Sequence, residues 1–300
     1  KSYINLKKVE KMNNHKEKYD QLIDKFTGWA QNCEDIRTSL IIGSRARIDT
    51  PADKWSDLDL VVFARNSEFY INNPDWIENI DNYWITFIEE TAVGGGQERR
   101  VLFEKGLDVD FAIFSVDIIK EFNNNKEIQS VLNRGYKVIL DKEDLFNNIS
   151  KKIVHKTNSE INNFPASEEF INLINDFWYH CVWSTKKILR GELWTAITCI
   201  DGYMKDILLE IIEWQTKVKK GKGYDTWHGG RFLEEWADER ILNDLKVGFA
   251  HYDKKDMKKA LFNTMDLFRR LAGEVADYLN YEYPVTADEK ATSWVKKHLR

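Results

Sequence analysis

The sequence predicts an α+β fold, in which a mixed β-sheet flanked by helices is followed by an α-helical bundle. Short runs of branched and aromatic residues, separated by turn signals, dominate the first half of the 300 residues. Apolar residues at three- and four-residue steps dominate the second half. A polar stretch at residues 158–167 separates the two patterns. We therefore expect one domain over residues 1–150 and a helical one over residues 151–300.

The elements follow from these patterns in chain order. Helical spacing of apolar residues predicts a first helix over residues 15–32. Apolar runs of strand length then predict strands at residues 39–42, 58–64, 84–88, 101–103 and 109–114. In the second half, apolar stripes predict helices at residues 170–189, 192–214, 232–250 and 261–279.

Composition excludes several classes of protein. The formal net charge of −5 disfavours a nucleic-acid binder, whose surface is usually basic. Cys33, Cys181 and Cys199 form no CxxC pair, which argues against a disulfide framework and a structural zinc site. The apolar runs are too short to span a bilayer, and the first residues lack the apolar core of a signal peptide. We expect a cytoplasmic protein without nucleic-acid or membrane partners.

Three aspartates at the starts of predicted strands are the candidate metal-binding residues. Asp57 and Asp59 are two residues apart at the start of a strand, so their carboxylates share one side of it. Carboxylates held this close repel each other unless a cation lies between them, and Mg²⁺ prefers such oxygen ligands. Asp110 opens a later strand. If the two strands are neighbours, all three carboxylates converge on one metal site.

A lone DxD pattern is more often a turn or a solvated strand end than a metal site. Here a glycine and a serine, Gly43 and Ser44, also follow a predicted strand. A glycine allows backbone amides to approach a ligand, and the serine hydroxyl is able to bind phosphate oxygens. The combination favours a site for a phosphate-bearing substrate.

These residues resemble the signature of the DNA-polymerase-β-type nucleotidyltransferases. More closely, the chain resembles the aminoglycoside 6-adenylyltransferases, which modify streptomycin, over about residues 20–298. One departure is Ile42, where some members of that family have an acidic residue. The matching residues are Gly43 to Ala46, Asp57 to Asp59, Val109 to Phe111, Phe177, Trp178, Lys186, Arg190, Gly273 to Ala276 and Tyr281 to Pro284.

The resemblance implies a nucleotidyltransferase domain followed by a helical substrate-binding domain. ATP would be the co-substrate and Mg²⁺ the cofactor, with the triphosphate at Gly43 and Ser44 and the metal at Asp57 and Asp59. A drug hydroxyl would attack the α-phosphorus and release pyrophosphate. Asp110 is then the expected general base or third metal ligand, and Glu98 and Glu104 are weaker alternatives for the base.

The pyrophosphate product carries negative charge, and basic side chains would neutralise the part of it that the metal does not. Lys205 also has a simpler interpretation, since Asp201 lies one helical turn before it and ion pairs of that spacing are common on surfaces. The candidates for phosphate contacts are Arg45, Lys186, Arg190, Lys205 and Arg231.

A streptomycin-like acceptor carries guanidinium groups, which bind carboxylates and aromatic faces. Residues 160–245 contain 15 acidic and 10 basic residues. The acceptor candidates are Asp176, Trp178, Glu235 and Asp238. Two alternatives stay open: a nucleotidyltransferase with another acceptor, such as a lincosamide or a protein side chain, and a nucleotide-binding module without catalysis.

Overall fold

The computed structural model describes residues 2–47, 52–92, 95–123, 125–146, 164–227 and 229–299. The chain divides into two compact units, residues 1–157 and residues 158–300. Each unit has a hydrophobic core of its own. The boundary predicted between residues 150 and 151 lies outside the described residues.

The first unit is built on a six-stranded sheet with the order β3-β4-β5-β2-β1-β6. β2 and β5 pair in parallel, whereas the other neighbouring strands are antiparallel, so the sheet is mixed as predicted. The sixth strand was not among the predicted runs, because its short sequence at the sheet edge has only one buried residue. The strands are β1 Ile36–Ile42, β2 Leu58–Ala64, β3 Tyr83–Glu90, β4 Gln97–Phe103, β5 Leu107–Ser115 and β6 Lys137–Asp141.

Helices cover both faces of the central strands. On one face, α1 (Ser2–Asn32) buries its apolar stripe, and its Phe26 ring lies 5.6 Å from that of Phe111 in β5. On the other face, Val61 and Phe114 share a buried cluster with Leu132 of α3 (Lys126–Asn133). Strands covered on both faces are apolar almost throughout. Asp59 in β2 and Asp110 in β5 are therefore exceptions that need a reason. A short helix, α2 (Ser67–Asn72), follows β2.

The second unit is helical, so the predicted α+β class is confirmed. Its core is centred on two long helices, where the rings of Phe177 and Phe268 stack with centroids 3.6 Å apart. The helices are α4 Ser167–Arg190, α5 Leu193–Thr198, α6 Met204–Lys220, α7 Leu233–Trp236, α8 Glu239–Gly248, α9 Lys254–Leu279 and α10 Val285–Leu299. Within the described ranges, no helix combines the length and the apolar character needed to cross a membrane.

Two predicted helices are interrupted in the structure. A π-helix, Cys199–Tyr203, separates α5 from α6, and the apolar periodicity continues through this wider turn without revealing it. Residues 232–250 form two helices, because the Asp238 side chain caps a new one by accepting from the amide of Arg240.

Candidate active site

Three aspartates meet at the start of β2 and in the first half of β5, where Asp110 is the fourth residue of the strand and does not open it as predicted. The parallel register pairs Asp59 with Asp110, and Asp57 directly precedes β2. One carboxylate oxygen from each residue lies within 4.8 Å of the other two. The structure thus brings together the three carboxylates that the sequence singled out.

The side chains at this point fit a divalent cation. Asp110 Oδ1 is buried and accepts no hydrogen bond from any described residue, and Ser44 Oγ is buried without a partner in the same part of the chain. Leaving a buried carboxylate oxygen without a partner is costly. A hard cation at the centre of the three carboxylates would satisfy it and offset their mutual repulsion.

A glycine turn lies directly beside Asp59. Gly43 begins a 3₁₀ turn, Gly43–Arg45, straight after β1, and Ile42 pairs with Asp59 across the sheet. The φ angle of Gly43 is +67°, and a Cβ at this position would overlap Asp59 Oδ2. Glycine is therefore required here both for its backbone conformation and for the space it leaves to the carboxylate.

We expect Gly43→Ala to weaken Mn²⁺ binding about tenfold or more, because the added methyl group displaces the Asp59 carboxylate. Gly106→Ala is the matched control, since Gly106 has a φ of +71° and open space around its Cβ position. Both variants lose about 1 kcal/mol of stability through backbone strain. Calorimetric titration with Mn²⁺ distinguishes them, and equal affinities would contradict the close approach of turn and ligand.

Burial makes the Asp110 carboxyl an unusually weak acid. It raises the pKa of this carboxyl to about 7, from an ordinary value of 3.8. The Arg100 guanidinium opposes the shift, whereas the negative charges of Glu98, Asp108 and Asp59 add to it. Without a metal, Asp110 is thus half-protonated near neutral pH.

This pKa predicts a pH-dependent difference in stability for the metal-free protein. A carboxyl whose pKa is raised by folding stabilises the folded state most below its unfolded pKa, and this stabilisation is lost as pH rises through about 7. Asp110→Asn removes the dependence. We expect the variant to gain about 2 kcal/mol over the wild type between about pH 5 and pH 8.5. Urea unfolding in EDTA at both pH values measures this gain, and a constant difference would contradict the shifted pKa.

Arg100 organises the acidic side chains around Asp110. Its Nη2 lies 3.2 Å from Asp110 Oδ2, and its Nε lies 2.8 Å from Glu89 and 3.1 Å from Glu98. The antiparallel register pairs Arg100 directly with Asp110. The sequence analysis missed this arginine, although its position in the β4–β5 hairpin was a usable signal. Glu104, by contrast, lies in the exposed turn of that hairpin.

Arg45 holds the segment that carries Asp57. Its guanidinium donates to the carbonyl oxygens of Asp57 (2.8 Å) and Ser56 (2.6 Å), and it lies 3.5 Å from the centroid of the Tyr19 ring. The Tyr19 hydroxyl accepts from the amide of Asp108 at 3.0 Å. Arg45 was predicted to contact phosphate. In the structure it connects the start of β2 with the start of β5 through Tyr19, and its contact with phosphate stays a prediction.

The other predicted cations belong to the helical unit. Lys186 lies 5.7 Å from the centroid of the Trp294 ring, and Arg190 is exposed and paired with Glu192. Lys205 is buried, and its ammonium group donates to Thr264 Oγ1 (2.9 Å) and to the Ile200 carbonyl (3.1 Å). Its i,i+4 ion pair with Asp201 is present at 3.5 Å. Arg231 is exposed.

The predicted acceptor residues have different environments. Trp178 is buried in the helical core, where its indole donates to the Tyr283 hydroxyl. Asp238 caps α8 and pairs with Lys219 at 2.7 Å. Glu235 is exposed. Asp176 lies partly exposed among aromatic rings.

Comparison with known proteins identifies the family of the chain. The family model for streptomycin adenylyltransferase matches residues 13–298 of the chain. An aminoglycoside 6-adenylyltransferase of Bacillus subtilis (strain 168) is 24% identical over 283 residues, covering 92% of this chain and 96% of the relative. One of Campylobacter jejuni is 24% identical over 289 residues, covering 95% of each. The crystal structure of an aminoglycoside 6-adenyltransferase from Bacillus subtilis aligns at 22% identity over 92% of this chain and 96% of its own, with a TM-score of 0.44. Because the family model spans nearly the whole sequence, the chain belongs to the streptomycin adenylyltransferase family, a family of nucleotidyltransferase enzymes.

Proposed function

We propose that this enzyme transfers the adenylyl group of ATP to a hydroxyl of an aminoglycoside, with Mg²⁺ as cofactor and pyrophosphate as the second product. The favoured acceptor is the 6-hydroxyl of streptomycin, and the consequence for the cell is resistance to the drug. The convergence of Asp57, Asp59 and Asp110 beside the turn at Gly43 carries the proposal. Family membership and the names of the two curated relatives support the acceptor class.

Asp57, Asp59 and Asp110 are the residues that would hold Mg²⁺. When bound, the metal neutralises phosphate charge and makes the attacking hydroxyl more acidic. The Gly43 turn presents the Ser44 hydroxyl and backbone amides to phosphate oxygens. The protein therefore acts mainly by positioning the reactants and by neutralising charge.

Asp110 accepts the proton in the proposed reaction. The acceptor oxygen forms a bond to the α-phosphorus, the bond from that phosphorus to the bridging oxygen breaks, and pyrophosphate leaves with the electron pair. The hydroxyl proton passes to the Asp110 carboxylate, while Asp57 and Asp59 provide the main ligands for Mg²⁺.

Cations of the helical unit remain candidates for the phosphates. We retain Lys186, Arg190 and Arg231, because all three are exposed, whereas Lys205 is buried. A nucleotide-binding module without catalysis is disfavoured, since a pure binder has no need of a general base beside two metal-binding carboxylates.

The test is pyrophosphate release from MgATP with streptomycin, kanamycin, spectinomycin or lincomycin as the acceptor, against a reaction without acceptor. Release with streptomycin alone is the expected result, and EDTA should abolish it. Release with lincomycin alone would keep the reaction and move the acceptor to another class. Silence with every acceptor, despite ATP binding, would reject adenylyl transfer to these drugs.

A further inference from the structure

Helix α4 has an aromatic stripe on its exposed side as well as an apolar one in the core. Asp176, Tyr179, His180 and Trp183 follow one another at the three- and four-residue steps that place side chains on one helix face. None of the four is buried. A surface helix normally carries polar residues on this side. The core side is filled by Phe170, Ile174, Phe177, Trp178, Cys181 and Ile188.

A fifth residue, Tyr203, completes the group, which we call the aromatic cluster. The Tyr203 hydroxyl donates to Asp176 Oδ2 at 2.6 Å, and His180 Nδ1 lies 2.6 Å from Asp176 Oδ1. The centroid of the His180 ring lies 4.5 Å from that of Tyr203, 5.2 Å from that of Tyr179 and 6.1 Å from that of Trp183. The Asp176 carboxylate thus contacts the His180 and Tyr203 side chains, and the Tyr179 and Trp183 rings lie beside the His180 ring.

The π-helix explains how Tyr203 reaches this position. Tyr203 is the last residue of the wider turn Cys199–Tyr203 between α5 and α6. Single π-turns inside helical segments occur frequently at functional sites. The side chain that this turn delivers is 45% exposed, and Tyr179 is 65% exposed. Grouped, exposed aromatic rings are typical of binding sites.

Among the described residues, Asp176 is paired with a histidine rather than with a lysine or an arginine. Lys187, whose ammonium lies 5.0 Å from the centroid of the Trp183 ring, is paired with Glu192 at 2.6 Å. The Asp176 carboxylate is 32% exposed, so a ligand has access to it.

We propose that the aromatic cluster is the binding site for a guanidinium group of the acceptor drug. A guanidinium is planar, stacks on aromatic faces and donates two hydrogen bonds to one carboxylate. Electron-rich rings add a cation–π attraction. The net negative charge of residues 160–245 favours the same kind of ligand. The proposal rests on the proposed function for the identity of the ligand, and it assigns His180, Trp183, Tyr179 and Tyr203 to a site that the sequence analysis had marked only by Asp176.

Calorimetric titration with streptomycin, which carries guanidinium groups, tests the proposal. We expect Asp176→Asn to raise the Kd for streptomycin about 10- to 100-fold, because a charged hydrogen-bond acceptor is lost. Tyr203→Leu, a surface substitution that leaves the carboxylate in place, should raise it about threefold to fivefold. Asp277→Asn on the exposed side of α9 makes the same change of charge and should leave the Kd unchanged. Binding of a non-hydrolysable ATP analogue with Mg²⁺ should be the same in all variants.

The other outcomes overturn either the proposed binding site or the proposed reaction. Wild-type affinity for streptomycin in both Asp176→Asn and Tyr203→Leu would overturn the proposal, as would equal losses of streptomycin and ATP-analogue binding. Failure of the wild-type protein to bind streptomycin would also overturn it, and so would a loss for kanamycin, which has amines but no guanidinium, as large as that for streptomycin. If the wild type binds streptomycin through the cluster but releases no pyrophosphate, the cluster stands and the proposed reaction fails.

Discussion

Replacing Asp59 with asparagine is expected to lower kcat for adenylyl transfer about a thousand-fold or more. Asp59 pairs with Asp110 across the parallel strands and shares the 4.8 Å cluster of carboxylate oxygens. The amide keeps the size of the side chain but removes the charge that holds the metal. Metal ions contribute several kcal/mol of transition-state stabilisation, and each 1.4 kcal/mol corresponds to about a factor of ten. Asp57→Asn should have an effect of similar size.

Pyrophosphate release and Mn²⁺ titration together measure this effect. Asp75→Asn is the control, since Asp75 is an exposed carboxylate of the same unit that lies outside the cluster. Circular dichroism spectra of the three variants should match the wild type. If Asp57→Asn and Asp59→Asn both kept wild-type turnover and Mn²⁺ affinity, the assignment of the metal site would be wrong.

Asp110→Asn is expected to separate catalysis from nucleotide binding. General bases contribute about 10²–10⁴-fold to rates, so we expect kcat to fall in that range. The affinity for MgATP should change less than threefold if Asp57 and Asp59 provide the main metal ligands. The asparagine cannot accept the proton of the attacking hydroxyl, although it fills the same space beside Arg100.

The pH dependence of the rate gives an independent readout for Asp110. In the wild type, kcat/KM should fall as the base becomes protonated on the acidic side, whereas the residual rate of Asp110→Asn should lack this limb. Glu98→Gln is the comparison, since Glu98 also pairs with Arg100. A loss in Glu98→Gln larger than in Asp110→Asn would move the role of base to Glu98.

Much of the site could be predicted because its signals are local. The two-residue spacing of Asp57 and Asp59 places them on one strand face, whatever the rest of the fold does. The positive φ at Gly43 belongs to a turn directly after a strand. The convergence of Asp110 with this pair was conditional on strand neighbourhood, and the parallel β2–β5 pairing supplies that condition.

What the sequence could not provide depends on register and packing between distant segments. Lys205 has the spacing of a surface lysine, yet its partner Thr264 lies 59 residues away on α9. Trp178 is buried and its neighbour Tyr179 is exposed. Only the packing of the helices decides which of these two aromatic residues enters the core. Arg100 lies opposite Asp110 because of the register between β4 and β5. The predicted strands did not define how these two strands pair.

The close approach of Gly43 to Asp59 also limits how this chain is able to evolve. The space beside the Asp59 carboxylate is the space that any side chain at position 43 would fill. Neither position therefore varies without an effect on the other, because a side chain at position 43 displaces the Asp59 carboxylate. Under the proposed function, a lineage that replaced the glycine would weaken its metal site in the same step.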